Sequence, residues 1–272
     1  MQPAHTGAVT AEPLFETINV SKAFGAFRAL NDISFSVSDG EFVSIVGPNG
    51  AGKTTLVNVV TGLLRPTAGT VRFLGRNIAG IGPVELARLG MSRAFQLVNI
   101  FPALTVRETL AVAVASRLRR VSNPFRSLKR DAVLQADIER VAEVVGLRTR
   151  LDSVASTLSQ GEKKLLDIAS AFALNPTVIL LDEPTSGVSA EEKFALMDVV
   201  FDAIRGDKVT VLFVEHDIEI VRRYARRVLA FYDGCIIADG SAEAVLNDGK
   251  VRELVVGDAR PASTRGALRV DD

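Results

Sequence analysis

The sequence has little of what would mark a secreted, membrane-embedded or nucleic-acid-coating protein. It has one cysteine, Cys235, in 272 residues, which excludes an internal disulfide and favours a reducing compartment. Apolar runs such as residues 178–181 are short, and none approaches the ~18 residues that a membrane-spanning helix needs. Residues 1–12 show no basic region joined to an apolar segment, so we expect no secretory signal. Basic and acidic residues balance at 32 each, so we expect no bulk attraction to nucleic acid. Together these absences lead us to expect a cytoplasmic protein.

What is present describes a folded protein of ordinary composition. The chain is 47% hydrophobic and 24% charged, which is typical of a globular protein with a sizeable core. Two alternating segments at 15–20 and 33–37 predict half-buried antiparallel strands, and 42–46 and 178–181 predict fully buried strands. Apolar positions at a period of about 3.6 residues predict helices at 105–118 and 131–145. The same reading predicts helices at 55–62, 159–173 and 190–204, a short helix from 218, strands at 71–74 and 209–214, and a hairpin at 228–238.

These elements predict an α/β fold whose core is interrupted by helices. We expect an α/β core made of residues 13–96 and 158–257, with antiparallel strands at its N-terminal side. Residues 97–157 would form an inserted helical subdomain, and 1–12 and 258–272 would be flexible tails.

A glycine-rich segment carries the strongest chemical signal. It fits G-x-x-x-x-G-K-[ST], and it lies between the apolar run 42–46 and a helix-compatible stretch at 55–62, the context of a phosphate-binding loop. Glycines let backbone N–H groups surround a phosphate, and the following helix points its positive end at the same anion. Lys53 adds a charge near the β- and γ-phosphates, and the Thr54 hydroxyl is a candidate Mg²⁺ ligand. We expect the phosphates to be bound by Gly47, Pro48, Asn49, Gly50, Ala51, Gly52, Lys53, Thr54 and Thr55.

Two carboxylates follow the buried run 178–181. At the carboxyl end of a central strand they would emerge beside the phosphate loop. Asp182 would hold Mg²⁺ through water, and Glu183 would accept a proton from an attacking water. The alternative is an ordinary acidic strand-to-turn junction.

Ser159 and Glu162 open the predicted helix 159–173 and have two interpretations. In the first they form a capping box and nothing more. In the second, Ser159, the Gly161 amide and the helix dipole form a second, outward-facing anion site. The residues alone leave both open.

Taken in order, these motifs resemble the ATPase subunit of ATP-binding-cassette (ABC) transporters over nearly the whole chain. Residues 47–55 resemble the family's Walker A loop, 178–183 its Walker B strand and 158–162 its signature motif. Gln96, His216 and Phe24 match the Q-loop glutamine, the switch histidine and the adenine-stacking aromatic. Each of these three has an ordinary alternative: a surface polar residue, a structural histidine and a core phenylalanine.

The resemblance implies a P-loop NTPase fold and hydrolysis of ATP with Mg²⁺. Glu183 would be the general base, His216 would contact the γ-phosphate, and Gln96 would sense Mg²⁺ and water. Two ATPase subunits, identical or related, would enclose ATP head-to-tail, with Ser159 and Gly161 acting on the other subunit's nucleotide.

The resemblance also implies transmembrane permease subunits as partners and a location on the inner face of the cell membrane. Apolar residues near Gln96 would form the groove for a permease helix, or would simply pack the helical subdomain. They are Leu97, Val98, Ile100, Phe101 and Leu104.

Two motifs depart from the family pattern. The signature has Gln160 in place of its second glycine and Glu162 in place of glutamine, and Val188-Ser189 stand where the family's D-loop usually carries an acid. The first puts a specific contact from Gln160 in doubt. The second predicts altered hydrogen bonding across the subunit interface.

The spelling of segments 20–25, 93–96 and 99–106 is similar to that of ATPases for uptake of branched-chain or hydrophobic amino acids. Such uptake systems would include a periplasmic substrate-binding protein. Two alternatives stay open: the ATPase of a lipid or polysaccharide exporter, and an ABC ATPase without a membrane partner.

Overall fold

A computed structural model describes residues 12–94, 101–120, 130–206 and 208–257. The strands form two sheets. The strands are β1 Phe15–Phe24, β2 Phe27–Val37, β3 Phe42–Val46, β4 Ala68–Phe73, β5 Arg76–Asn77, β6 Met91–Ala94, β7 Val178–Asp182, β8 Thr210–Val214, β9 Arg227–Tyr232 and β10 Cys235–Ser241. The helices are α1 Lys53–Val60, α2 Pro83–Leu89, α3 Val106–Arg117, α4 Ala132–Val144, α5 Gln160–Phe172, α6 Glu192–Gly206, α7 Ile218–Tyr224 and α8 Ala242–Asn247.

The larger sheet has the order β10-β9-β3-β8-β7-β6, in which all neighbours are parallel except the β9–β10 hairpin. Every residue of β3, β7 and β8 is buried, which explains why their sequences are mostly apolar. The smaller sheet, β2-β1-β4-β5, is antiparallel, and β1 and β2 alternate between buried and exposed positions over much of their length. The mixed α/β fold expected from the sequence is thus confirmed.

Three apolar cores join these layers. One lies under α6 and α7 on one face of the larger sheet, and a second lies between its other face, α1 and the smaller sheet. The third joins α3, α4 and part of α5. Helix α5 contributes Leu166 and Ala169 to this third core and Ile168 and Phe172 to the first, so α5 connects the helical layer to the sheet. The proposed division at residues 97–157 stays a prediction, and both tails, apart from Glu12, lie outside the described residues.

Four of these elements, α2, β5, β6 and α8, were missing from the sequence-based prediction. Helix α2 is short; it starts with Pro83 after Gly82 and ends at Gly90, whose φ of 102° is left-handed. Strand β5 has two residues, and β6 has four residues with little alternation; β6 becomes a strand because it pairs with the buried β7. The hairpin predicted to turn at Asp233-Gly234 is present, with φ of 47° and 71° at those residues.

Candidate functional site

The carboxyl ends of β3, β8 and β7 lie side by side and carry most of the predicted site. Strand β3 leads into the glycine-rich loop, β8 ends before His216, and β7 ends at Asp182 and Glu183. Because parallel strands end at the same sheet edge, three segments that are distant in sequence meet there.

Backbone crowding explains a glycine in the loop. Gly52 has φ of 101°, and a Cβ atom there would lie 2.6 Å from the carbonyl oxygen of Ala29. A side chain at this position would therefore strain the backbone and push away β2. The loop conformation depends on this close packing.

The N-terminus of α1 is open to an anion. Its N-cap is Gly52, which supplies no side-chain acceptor, and its first turn contains no acidic residue. By contrast, Thr105 and Ser159 cap α3 and α5 through complete capping boxes. The first amides of α1 are therefore available to a phosphate, and the helix dipole favours negative charge there.

Lys53 lies folded back into the loop. Its Nζ donates to the carbonyl oxygens of Gly47 at 2.7 Å and Pro48 at 2.9 Å, and the residue is only 5% exposed. Burial lowers the pKa of Lys53, and the charges of Glu183 and Asp182 partly oppose that effect. A bound phosphate would give this ammonium group an anionic partner.

Asp182 fits a cation-binding role. Its Oδ2 accepts a hydrogen bond from Arg93 at 2.6 Å, whereas its buried Oδ1 has no hydrogen-bond partner among the described residues. A buried carboxylate oxygen needs a donor, a water or a cation. No cluster of three His, Cys, Asp or Glu side chains suited to a metal occurs in the described ranges. Asp182, acting through water, and the Thr54 hydroxyl would fit an Mg²⁺ ion whose other ligands are phosphates and water.

Glu183 and His216 contact each other directly. Glu183 Oε1 lies 2.7 Å from His216 Nε2, and the side chains are 18% and 41% exposed. Glu183 has a positive φ of 50°, which is uncommon for a residue with a side chain. The structure thus brings together the two residues that the sequence proposed for the chemistry, and it places both where solvent reaches them.

Glu215 is a site residue that the sequence analysis missed. It is 3% exposed and accepts hydrogen bonds from the Thr185 hydroxyl at 2.6 Å, the Thr185 amide at 3.1 Å and the His216 amide at 3.1 Å. Burial raises the pKa of Glu215, and these hydrogen bonds partly oppose the rise. Its carboxylate therefore joins the loop after β7 to the loop after β8. The sequence feature that could have indicated Glu215 is its position directly before His216.

A cavity of about 230 Å³ lies beside Lys53, Glu183 and His216. Phe27 lines it, whereas Phe24, the residue chosen from sequence, does not. The two face each other across the β1–β2 hairpin and are 48% (Phe24) and 63% (Phe27) exposed, so neither is a core residue. Lys22 Nζ lies 5.0 Å from the centre of the Phe24 ring, within the range of a cation–π contact. The cavity is lined by Phe27, Ala29, Asn49, Gly50, Gly52, Lys53, Thr54, Thr55, Glu183 and His216.

Ser159 is exposed and does not line this cavity. Its Oγ accepts from the Glu162 amide at 3.2 Å, while Glu162 Oε2 accepts from the Ser159 amide at 2.8 Å. The capping box is therefore present, and a role towards a second chain's nucleotide stays a prediction, as does that of Gly161. Ser189, at the departure after β7, has a comparable local role, since its Oγ contacts both the amide and the carboxylate of Glu192 at the start of α6.

Part of the predicted site lies outside the described residues. Gln96 does, as do Leu97, Val98 and Ile100 of the proposed groove. Phe101 is 53% exposed, and Leu104 is half-buried. In the described ranges, no helix combines the length and the apolar character that a membrane crossing requires.

Comparison with known proteins assigns the family. Residues 30–186 match the ABC transporter family. The chain is 32% identical to the high-affinity branched-chain amino acid transport ATP-binding protein LivG of Salmonella typhimurium, over 92% of this chain and all of that protein. It is 34% identical to the probable LivG protein of Archaeoglobus fulgidus, over 90% of this chain and 95% of that protein.

A solved structure extends the match to the fold. An ATP-binding cassette of an ABC transporter in its ADP conformation superposes with a TM-score of 0.76 at 32% identity, covering 89% of this chain and 98% of that one. The resemblance inferred from the motifs is thus confirmed, and the phosphate loop, the paired carboxylates and the histidine lie together as a nucleotide site requires. This chain belongs to the ABC transporter family and is one of its ATP-binding, ATP-hydrolysing cassettes.

Proposed function

We propose that this chain powers the import of branched-chain amino acids by hydrolysing Mg-ATP at the edge of the larger sheet. The observation that carries the catalytic part is the contact between Glu183 and His216 beside Lys53. The substrate class is supported by the LivG relatives, which are named for transport of branched-chain amino acids and match this chain over about nine-tenths of its length.

The chain's own residues divide the chemistry. The loop amides, the α1 N-terminus and Lys53 hold the phosphates. The Thr54 hydroxyl would hold Mg²⁺ directly and Asp182 Oδ1 would hold it through water, and the bound ion would neutralise charge on the phosphates. Glu183 accepts the proton of the attacking water, and His216 fixes the Glu183 carboxylate and contacts the γ-phosphate. Gln96 completes the set as the residue that senses Mg²⁺ and water.

A second ATPase subunit, a copy of this chain or a related one, completes each nucleotide site. The exposed Ser159 and the half-buried Gly161 at the start of α5 would approach the partner's γ-phosphate. The position of Ser159 outside the cavity of its own chain supports this arrangement. Subunits would close on ATP and open after its hydrolysis.

The remaining partners follow from the proposed import role. Permease subunits would dock near Phe101 and Leu104, which brings the chain to the inner face of the cell membrane. A periplasmic protein would deliver the amino acid. The exposure of Phe101 supports a contact at this surface.

The nucleotide part is tested by thermal unfolding with Mg-ATP. At 100 times the dissociation constant, ATP should stabilise the wild type by about 2.7 kcal/mol. Lys53→Ala should lose most of this gain, whereas Lys250→Ala, which changes an exposed lysine, should keep it. An equal gain in Lys53→Ala would place the nucleotide elsewhere.

The transport part is tested by uptake of radiolabelled leucine, isoleucine and valine into cells that lack the gene. Wild-type protein should restore uptake, and Glu183→Gln should not. If deletion leaves uptake of all three amino acids unchanged, the import proposal is wrong, and accumulation of an envelope lipid or polysaccharide inside the cell would favour an exporter.

A further inference from the structure

Arg93 on β6 contacts both the candidate cation ligand and the helix that follows the phosphate loop. One guanidinium nitrogen donates to Asp182 Oδ2 at 2.6 Å. The other donates to Asn58 Oδ1 on α1 at 2.7 Å and lies 3.4 Å from the Oγ1 of Thr61, which caps the C-terminus of α1. The Arg93 side chain is 9% exposed and that of Asp182 is 2% exposed. This ion pair is therefore buried, and its geometry is fixed at both ends.

The contact decides which Asp182 oxygen is available. Because Arg93 occupies Oδ2, the carboxylate cannot rotate without losing a buried charged hydrogen bond, and Oδ1 stays without a hydrogen-bond partner. Asn58 lies one helical turn beyond Thr54 on α1, so the same guanidinium holds β7 and α1 in register. Thr54 and Asp182 are the side chains of the described residues that the sequence analysis assigned to the cation.

We propose that Arg93 is a positioning residue for the divalent cation of the nucleotide site. It orients Asp182 so that Oδ1 faces the cation, and through Asn58 it fixes the separation between Asp182 and Thr54. The inference rests on the proposed Mg²⁺ site. Hydrogen bonds that orient metal ligands in this way commonly change metal affinity by 10–100-fold.

Electrostatics alone makes the opposite prediction. A guanidinium that repels the cation and competes for the same carboxylate oxygens weakens metal binding, so a substitution that loosens its hold on Asp182 would tighten metal binding. A purely structural ion pair would change stability and leave metal affinity unaltered. The sign of the change in cation affinity therefore separates the three roles.

The experiment measures Mn²⁺ binding to the full-length protein with ATP by electron paramagnetic resonance, where Mn²⁺ replaces Mg²⁺. Arg93→Lys keeps the charge but cannot span Asp182 and Asn58 as the planar fork does. We expect the Mn²⁺ dissociation constant of the ATP complex to rise about tenfold. ATP affinity in EDTA should change less than about twofold, because the phosphate loop is untouched. Arg72→Lys is the matched control, since Arg72 pairs with Glu16 at 3.2 Å on the surface of the smaller sheet.

Asn58→Ala keeps the proposal testable if Arg93→Lys does not fold. It removes one anchor of the guanidinium and leaves the ion pair, so we expect a rise in the same direction of about threefold. Unchanged Mn²⁺ affinity in every variant that folds would overturn the proposal, and tighter binding would identify Arg93 as a competitor of the cation.

Asp182→Asn distinguishes an error in the proposed cation site from an error in the proposed role of Arg93. It should weaken Mn²⁺ binding more than Arg93→Lys does. If Asp182→Asn binds Mn²⁺ like the wild type, the cation site itself is wrong and this inference falls with it. If Asp182→Asn is defective and Arg93→Lys is not, only the role of Arg93 is wrong.

Discussion

His216 Nε2 lies 2.7 Å from Glu183 Oε1, although 33 residues separate them in sequence. The contact exists because β7 and β8 are parallel neighbours and end at the same sheet edge. Glu215 supports this contact, since its buried carboxylate accepts hydrogen bonds from the amides of His216 and Thr185. The pair is thus held by both side-chain and backbone contacts.

Glu183→Gln should stop hydrolysis without preventing binding. The amide keeps the size of the side chain and its contact with His216, but it cannot take the proton of water. We expect the hydrolysis rate to fall by roughly 10²–10⁴, with Mg-ATP affinity unchanged. Phosphate release and equilibrium nucleotide binding measure the two quantities.

Glu139→Gln on the exposed side of α4 is the matched control and should hydrolyse ATP normally. The Glu183→Gln protein should also accumulate as an ATP-bound dimer in size exclusion. Near-normal hydrolysis by Glu183→Gln would remove Glu183 from the catalytic role.

Separate substitutions of Phe24 and Phe27 test which of the two rings stacks on the adenine of ATP. The motif favours Phe24, whereas the cavity is lined by Phe27. Because stacking on a base is worth about 1–3 kcal/mol, Phe24→Ala should weaken ATP binding by about tenfold. Phe24→Tyr should bind normally, because the aromatic face is retained.

Phe27→Ala should weaken ATP binding by less than about threefold, because the motif assigns the stacking ring to Phe24. Fluorescence titration with a labelled ATP measures all three variants. A larger loss of ATP affinity for Phe27→Ala than for Phe24→Ala would show that Phe27, which lines the cavity, stacks on adenine in place of Phe24, which matches the motif.

Ser159→Arg should suppress hydrolysis while ATP binding to a single chain stays intact. Ser159 lies outside its own chain's cavity, so the added bulk would act on the nucleotide of the opposite subunit. In a mixture of Ser159→Arg and Lys53→Ala chains, each mixed dimer has one site that pairs a normal Lys53 from one chain with a normal Ser159 from the other. That mixture should recover part of the activity, measured as phosphate release.

Full hydrolysis by Ser159→Arg alone would reduce Ser159 to a helix cap. Ser156→Arg provides the control, since Ser156 is also exposed but lies before the start of α5.

Glu215→Gln should change how stability depends on pH. Burial raises the pKa of Glu215 in the folded protein above its ordinary value of 4.5, so folding favours the protonated form. The stability contributed by that protonated form is complete below the unfolded pKa and is lost as pH rises through the folded pKa. Between pH 4.5 and neutrality, the free energy of unfolding of the wild type should therefore fall more than that of Glu215→Gln. Urea unfolding at a series of pH values measures both, and parallel curves would contradict the assignment.

The sequence alone determined the family, the α/β class and the residues of the phosphate loop. These follow from local patterns: the glycine spacing before Lys53, the buried run that ends in Asp182, and the alternation in β1 and β2. Ser159 was equally readable as a helix cap, because a capping box involves residues three apart. Local geometry is encoded by neighbours in sequence.

Only the tertiary structure decided how distant residues meet. The pairing of Arg93 with Asp182 and the burial of Glu215 under Thr185 and His216 depend on the order of strands in the larger sheet. The choice between Phe24 and Phe27 depends on how the β1–β2 hairpin reaches the cavity. Strand order and hairpin placement are set by packing between segments far apart in the chain, so no local pattern in the sequence specifies them.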